Sequence, residues 1–352
     1  MGLPEINIVF RSLAVSAIER SERGIVALVV KDSTATKNSY TFKKFAEVMP
    51  EDFTNDIYDY IRLAFLGNPT KVIVEVINET NERTINTVLK DLQSKKFNYL
   101  AVPGITSEET DIVSSWIVDC REEGKMYKAV LPNVEADNEA IINFATTGIK
   151  VGEKSYTTEV YCARIAGILA GLPLTRSATY FVLGEVDEIT EHEDPDASID
   201  AGKLILVNDG VKIKIGRGVN SLKTIVKPKG NEFKKIKIVE AMDMIYEDIR
   251  TTFEDEYVGK VLNSYDNKVI FLTAVNAYFK QLQKDGVLDP NNDAIADIDV
   301  DAQELYLNKQ GINTDDMNAQ DLREANTGST VFFKANVKPL DAMEDLEFNI
   351  YI

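Results

Sequence analysis

Apolar positions between residues 71 and 150 form short segments that alternate between strand and helix periodicity. These segments predict strands over 71–77, 97–102 and 126–131, and helices over 80–94 and 107–124. Strands that alternate with helices of this length indicate right-handed βαβ crossovers and a mostly parallel sheet. The predicted fold class of this region is therefore α/β.

The remainder of the body adds further helices and a hairpin. A buried strand is predicted over 24–30, helices over 156–171, 238–253 and 267–284, an exposed acidic loop over 187–200, and a hairpin that joins 203–207 to 211–215. The hairpin turn contains Asp209 and Gly210, which is a strong hairpin signal between alternating runs. Small residues dominate the first of these helices, so we expect it to pack closely. The whole chain is thus predicted to be α+β overall, with the parallel βαβ region followed by a mixed α+β C-terminal region.

Both ends of the chain alternate apolar and polar residues, as a half-buried strand does. A further strand is predicted over 331–339, where Pro339 ends it. The alternating apolar residues are Ile6, Ile8 and Phe10 near the N-terminus and Leu346, Phe348, Ile350 and Ile352 at the C-terminus. Most termini are polar and fray, so two apolar, strand-like ends predict extended arms that pair with a sheet.

The C-terminal arm has two possible partners. Burial of its four apolar side chains would contribute roughly 6–12 kcal/mol, at about 1.5–3 kcal/mol each. The arm could pair within its own molecule, or it could add as a strand to a sheet of a neighbouring copy through the same main-chain hydrogen bonds. In the second case the links over 12–23 and 339–345 would let subunits rotate and slide while they stay joined.

Composition and charge narrow the classes of partner. The 352 residues are 44% apolar and 27% charged, which is typical of a globular protein. The formal net charge of 39 − 57 = −18 argues against nucleic acid and anionic membranes as partners. We find no run of about 18 apolar residues that would span a membrane. The first residues lack the pattern of a secretory signal, so we expect none.

The charges are also unevenly distributed along the chain. Residues 212–237, the basic strip, contain nine basic residues and one acidic residue, whereas residues 285–324, the acidic strip, contain eleven acidic and two basic residues. Both strips could simply be solvated faces. Alternatively, the basic strip of one copy could meet the acidic strip of another. Lys234 and Lys235 are the basic-strip residues that we select as candidates for a subunit interface.

Candidate catalytic residues are scarce in this sequence. His192 is the only histidine and lies in the acidic segment 187–200, so a histidine-dependent nucleophilic site is not indicated. Cys120 and Cys162 lie in predicted helices without metal-ligand spacing, which favours a reducing compartment and ordinary packing. No catalytic, cofactor-binding or metal site is therefore predicted from these residues.

Two partial motifs fail on inspection. Asp297, Asp299 and Asp301 have the opening spacing of a calcium loop, but Ala302 and Asn308 occupy the positions that need glycine and glutamate. Residues 216–221 contain two glycines but lack the full phosphate-binding pattern. We therefore expect a solvated acidic face and an ordinary loop.

Several segments together resemble the contractile phage tail sheath family. The resemblance is carried by 163–171 and 174–179, by Gly218-Val219-Asn220-Ser221-Leu222-Lys223-Thr224, by 235–243 and 259–264, and by 337–344 with the alternating strand behind it. It covers about residues 160–352 well and the first half only in outline. The order of the segments and the terminal arm make the resemblance fairly specific.

This resemblance implies a structural subunit with no cofactor and no enzyme activity. Such subunits form hexameric rings stacked in a helix around a tail tube, and contraction drives the tube into the target cell. Each subunit's arms are woven into the C-terminal domains of its neighbours. The implied segments are an N-terminal arm (1–20), an α/β domain (21–200), a sheath C-terminal domain (201–330) and a C-terminal arm (331–352).

The resemblance also implies where the subunit works and what it meets. Its partners would be further copies of itself, the tail tube protein, and baseplate and tail terminator proteins. It would be assembled in the bacterial cytoplasm into a virion tail or a phage-tail-like particle. The short chain suits a compact sheath of a Gram-positive myophage or of a phage-tail-like bacteriocin.

Two other functional hypotheses stay open from the sequence. The βαβ region would also fit an α/β enzyme or nucleotide-binding protein, which nucleotides or cofactors should stabilise thermally. An oligomeric coat or scaffold protein unrelated to tails would form closed shells or sheets instead of hollow cylinders.

Overall fold

The computed structural model describes residues 17, 18, 20, 22–78, 83–227 and 229–351. The strands are β1 (Ile25–Lys31), β2 (Ser39–Phe42), β3 (Lys71–Ile77), β4 (Tyr99–Ala101), β5 (Lys128–Pro132), β6 (Ile141–Phe144), β7 (Thr147–Val151), β8 (Lys154–Tyr156), β9 (Glu188–Thr190), β10 (Lys203–Leu204), β11 (Leu206–Asn208), β12 (Ile213–Ile215), β13 (Ile295–Ile298) and β14 (Phe333–Asn336). The helices are α1 (Asn55–Phe65), α2 (Ile85–Leu92), α3 (Ser107–Glu122), α4 (Thr158–Gly171), α5 (Pro195–Asp200), α6 (Ile236–Glu256), α7 (Tyr265–Lys284), α8 (Val300–Lys309) and α9 (Ala319–Glu324).

The described residues divide into two compact units. The larger unit contains 22–243 and 341–351, and the smaller unit contains 244–340 together with the described residues before 22. The division falls inside α6. The segmentation inferred from the sequence, with a boundary at residue 200, stays a prediction.

A seven-stranded sheet organises the larger unit. Its strand order is β10-β6-β5-β4-β1-β3-β2, and neighbouring strands are parallel except for the antiparallel pair β2 and β3. The central strand β1 is an apolar run in which Ile25 to Val30 are completely buried, as expected for a parallel sheet covered on both faces. The predicted α/β fold class is confirmed.

Alternate residues of β1 serve two separate cores. Val26, Leu28 and Val30 belong to the core that contains α1 and α4, whereas Ile25, Ala27 and Val29 belong to the core that contains α2 and α3. This follows from the two-residue period of a strand, which sends successive side chains to opposite faces. Burial of both faces fixes the register of the sheet.

Glycines allow α1 and α4 to approach each other closely. A Cβ atom placed on Gly167 would lie 2.0 Å from the carbonyl oxygen of Ala64, and one on Gly171 would lie 1.8 Å from that of Gly67. Real side chains cannot occupy such positions, so only glycine permits this packing. The expectation of a closely packed helix over 156–171 is confirmed.

A buried cluster of charges holds the first two turns of α6 in the larger unit. Lys128, which is completely buried in β5, places Nζ 2.9 Å from Glu240 Oε1 and 2.8 Å from Asp243 Oδ2. Arg121 of α3 binds both carboxylate oxygens of Asp243 at 2.8 and 3.0 Å, and Arg23 pairs with Glu240. Burial alone would raise the pKa of Glu240, but the positive charges of Lys128 and Arg23 lower it to about 2.

The smaller unit contains α7, α8, α9 and the antiparallel pair β13–β14. The three aspartates of the incomplete calcium pattern have structural roles there. Asp297 binds Arg323 at 2.6 Å, Asp299 accepts the cap hydrogen bond of α8 from the Ala302 amide, and Asp301 lies 3.2 Å from Lys334. Among the described residues no group of acidic, histidine and cysteine side chains is arranged to hold a metal ion.

Two local predictions were wrong or incomplete. The segment 187–200 is not only a loop: it contains β9 and α5, because Asp194 caps a helix with Pro195 at its first position. The hairpin is restricted to β11 and β12, since residues 203–204 instead pair in parallel with β6. The helix predicted over 107–124 is α3, and its N-cap Thr106 forms a capping box with Glu109.

Candidate subunit interface

The predicted arm residues differ in what the structure describes of them. Ile6, Ile8, Phe10 and Ile352 lie outside the described residues. Residues 341–351 form no strand, and Leu346, Phe348 and Ile350 are 87%, 73% and 75% exposed. The polar face of the arm is exposed as well, so neither face of 346–351 is covered by the chain that carries it.

The root of the C-terminal arm, residues 341–345, is held against the larger unit. Glu344 is the central residue: its Oε1 accepts hydrogen bonds of 2.7 Å from the hydroxyls of Ser177 and Thr179. The Glu344 side chain is only 6% exposed, and its second oxygen lies 3.7 Å from Lys235 Nζ. A carboxylate that is buried and hydrogen-bonded in this way defines where the arm leaves the body.

Two further ion pairs flank Glu344. Lys235 binds Asp341 and Arg217 binds Asp345, so basic-strip residues meet acidic residues of the same chain. Burial would lower the pKa of Lys235, but the hydrogen bond that it donates to Asp341 and the charge of that carboxylate raise it. The hydrogen bond that Arg217 donates to Asp345 likewise raises the pKa of Arg217. The predicted interface residue Lys235 thus pairs with the arm root of its own subunit.

A polar cavity of about 530 Å³ lies beside the arm root, within the larger unit. Lys234 borders it together with Lys235, Arg217 and the acidic residues Asp196 and Asp200. The structure therefore brings the two predicted lysines together at the arm root. It leaves the distal arm residues apart from them, exposed to solvent.

The sequence-based search for interface residues missed the root itself. Glu344, Ser177 and Thr179 fix the arm, yet in the sequence they stand out only as members of segments that resemble a known family. A usable signal was the density of acidic residues between 341 and 347, directly before an apolar strand and complementary to the basic strip.

Comparison with known proteins identifies the family. Residues 78–221 match the family model of the phage tail sheath protein central domain, and residues 228–352 match that of the phage tail sheath C-terminal domain. The tail sheath protein of Clostridium phage phiCD119 is 40% identical, and the match covers 99% of both chains. The chain belongs to the phage tail sheath family. It is a structural subunit of a tail sheath.

Solved structures of low sequence identity show the same fold for this sheath protein. The sheath tail protein from Desulfitobacterium hafniense is 17% identical, with a TM-score of 0.71 over 84% of this chain and 94% of that chain. The helical sheath of the anti-feeding prophage in its contracted state is 13% identical, with a TM-score of 0.69 over 100% of this chain and 99% of that chain. The predicted family and its mixed α+β architecture are confirmed.

Membrane insertion of a helix finds no support in the described part of the sheath protein. None of the helices there combines the length and the apolar character that a bilayer crossing requires.

Proposed function

We propose that this sheath protein polymerises by donating its terminal arms to neighbouring copies, as stacked hexameric rings around a tail tube, and that the assembly contracts to drive the tube into a target cell. One observation carries the proposal. Leu346, Phe348 and Ile350 alternate along a segment that its own chain leaves uncovered. Exposed apolar side chains on an extended segment are typical of a strand that pairs with another chain.

The contrast between the arm root and the distal arm supports donation. The root is anchored through Glu344, whereas the six residues from 346 to 351 extend into solvent. Six residues in strand conformation reach about 20 Å, at roughly 3.3 Å per residue. The fixed root sets the position from which the arm extends. An uncovered distal segment of this length is long enough to add a strand to a sheet of a neighbouring copy.

The remaining parts of the proposal rest on membership of the family. The partners are further copies of the subunit, the tail tube protein, and baseplate and terminator proteins, with neither nucleic acid nor membrane among them. The subunit has no enzyme activity and is located in the tail of a virion or of a phage-tail-like particle. Lys234 and Lys235 remain proposed interface residues, with Lys235 acting through the root of the arm.

Deletion of residues 346–352 tests the role of the arm. Because the described residues of this segment are exposed, the truncated chain should keep its thermal unfolding midpoint but sediment as a small species. Negative-stain microscopy should show hollow cylinders for the full chain and none for the truncated chain. Cylinders of normal length from the truncated chain would overturn the proposal.

A matched pair of full-length variants separates the apolar face from arm length. Serine at Leu346, Phe348 and Ile350 removes the apolar face, whereas serine at Glu347 and Asn349 changes only the polar face. We expect the first variant to lose assembly and the second to retain most of it. Equal assembly by both would mean that apolar burial of the arm does not drive polymerisation.

A further inference from the structure

The surface beside the root of the C-terminal arm carries two exposed apolar side chains. Met343, which lies within the root, is fully exposed, and Tyr180 of the larger unit is 58% exposed. Both line a groove of about 260 Å³, together with the anchoring residue Glu344. Large apolar side chains that are exposed side by side are typical of a surface that another protein covers.

The backbone of Tyr180 has a conformation that disfavours a large side chain. Its φ angle is +56°, in the left-handed region that glycine adopts without strain. The turn is fixed by hydrogen bonds from the Tyr180 amide to the Ile215 carbonyl at 2.9 Å and from the Phe181 amide to the Ala178 carbonyl at 3.0 Å. The Lys214 ammonium lies 3.9 Å from the ring centroid and restrains the ring. A restrained, exposed ring on a strained backbone points to a function of that ring.

The short link between the anchored root and the distal arm limits where a neighbouring copy can lie. Glu344 is fixed to the larger unit by two hydrogen bonds of 2.7 Å, and Leu346 follows two positions later. Two residues span at most about 7 Å, and paired strands lie about 4.8 Å apart. An acceptor strand that pairs from Leu346 onwards therefore lies within about 12 Å of Glu344. The copy that provides this strand must approach the groove.

We propose that the groove between Tyr180 and Met343 is a second contact surface, which packs against the body of the copy that accepts the arm. The inference rests on the proposed arm donation and adds a contact that involves no strand pairing. The thioether of Met343 is flexible and adapts to an irregular surface. The Tyr180 ring provides a rigid apolar face and a hydroxyl group for a hydrogen bond. A contact beside the donated strand would restrict rotation of the two copies about the arm.

Tyr180→Gly tests the surface, because folding and assembly should respond differently to it. The thermal unfolding midpoint of the unassembled chain should not fall, since relief of strain at φ +56° offsets the greater freedom of glycine in the unfolded chain. Loss of the ring should raise the critical concentration for cylinder formation, measured by pelleting and microscopy, at least threefold. Met343→Ser should have the same effect on assembly. The control Val211→Gly changes a position that is 84% exposed on the hairpin loop and should have no effect.

Two further measurements separate a direct contact from an effect on the arm. Hydrogen exchange at 341–345 should be unchanged in Tyr180→Gly, since Glu344 keeps both of its hydroxyl partners. Benzoylphenylalanine in place of Met343 should give covalent dimers when imaged cylinders are irradiated, with the cross-link on residues of the second copy outside its arm.

The outcomes distinguish this inference from the proposed function. A critical concentration for Tyr180→Gly equal to that of wild type, or cylinders that give no dimers, would overturn the contact surface and leave arm donation intact. Faster exchange at 341–345 in Tyr180→Gly would mean that the ring positions the root, which would also overturn the inference. If chains without residues 346–352 form normal cylinders, arm donation fails and the inference falls with it.

Discussion

At the scale of single residues, the closest constraint is the backbone contact between α1 and α4. Gly167 has no room for a methyl group, because Ala64 O would lie 2.0 Å from it. A small-residue stretch in a sequence shows that close packing is possible, but it does not show which glycine touches which backbone atom. That information depends on the partner helix, which lies about a hundred residues earlier in the chain.

Gly167→Ala should therefore destabilise the protein even though alanine favours helices. Alanine would gain up to about 1 kcal/mol of helix propensity, whereas overpacking against a backbone atom costs about 1–3 kcal/mol or more. Urea denaturation should show a net loss in the free energy of unfolding. Gly184→Ala is the control, since a Cβ atom there meets nothing within 4 Å. Equal stabilities of the two variants would contradict the packing argument.

The buried carboxylate of Glu240 should make stability depend on pH. Its folded pKa of about 2 lies below its ordinary value of 4.5, so its contribution is complete above about pH 4.5 and is lost as the pH falls towards 2. Its charge contributes on the order of 3 kcal/mol, at about 1.36 kcal/mol per unit. The difference in unfolding free energy between wild type and Glu240→Gln should shrink from pH 7 to pH 3.

Urea titrations at several pH values measure that difference directly. Glu191→Gln changes an exposed carboxylate and serves as the control, for which we expect little difference at any pH. If the difference in unfolding free energy between wild type and Glu240→Gln stays constant down to pH 3, Lys128 and Arg23 do not stabilise the ionised carboxylate.

At the scale of elements, the periodic segments were the most predictable part of the fold. The strand over 71–77 and the helices that became α4, α6 and α7 were placed almost correctly, because long or strongly apolar segments carry a clear period. The errors arose where a short capping signal competed with an acidic composition, as at Asp194 and Pro195. The parallel pairing of residues 203–204 with β6 depends on tertiary contacts that no local pattern records.

The arm root is an element whose rigidity should depend on one carboxylate. Glu344→Ala removes the acceptor of Ser177 and Thr179 and the negative charge near Lys235, so residues 341–345 should exchange their amide hydrogens faster. Residues 346–351 should not change, because they are already exposed. Hydrogen exchange with mass spectrometry resolves the two segments.

A control for the arm root comes from the same arm. Glu347→Ala removes an equally charged side chain that is exposed, and it should leave exchange at 341–345 unchanged. If Glu344→Ala and Glu347→Ala gave the same exchange, the root would be held by the pairs at Lys235 and Arg217 rather than by Glu344.

At the scale of the whole molecule, the sequence indicated the family, the parallel sheet and an apolar, alternating C-terminal end, whereas the exposure of that end is seen only in the structure. It did not indicate that the basic strip is largely neutralised within the chain. Five of its nine basic side chains form ion pairs with carboxylates of the same chain, namely Lys214, Arg217, Lys223, Lys229 and Lys235. A charge run read from sequence shows only one half of each pair. The partners come from segments up to 128 residues away, as Asp345 is from Arg217.

This internal pairing decides how assembly should respond to salt. Copies that each carry a formal charge of −18 repel one another at low ionic strength, and apolar burial of arms does not depend on charge pairs. The screening length falls from about 30 Å at 0.01 M to about 10 Å at 0.1 M. Cylinder yield, measured by pelleting and microscopy, should therefore rise over this range.

Contact between the basic and acidic strips of different copies predicts the reverse, because salt would screen that attraction. A yield that falls with added salt, and falls less in the double variant Lys234→Glu with Lys235→Glu, would place charge pairing above arm burial as the force that joins the subunits.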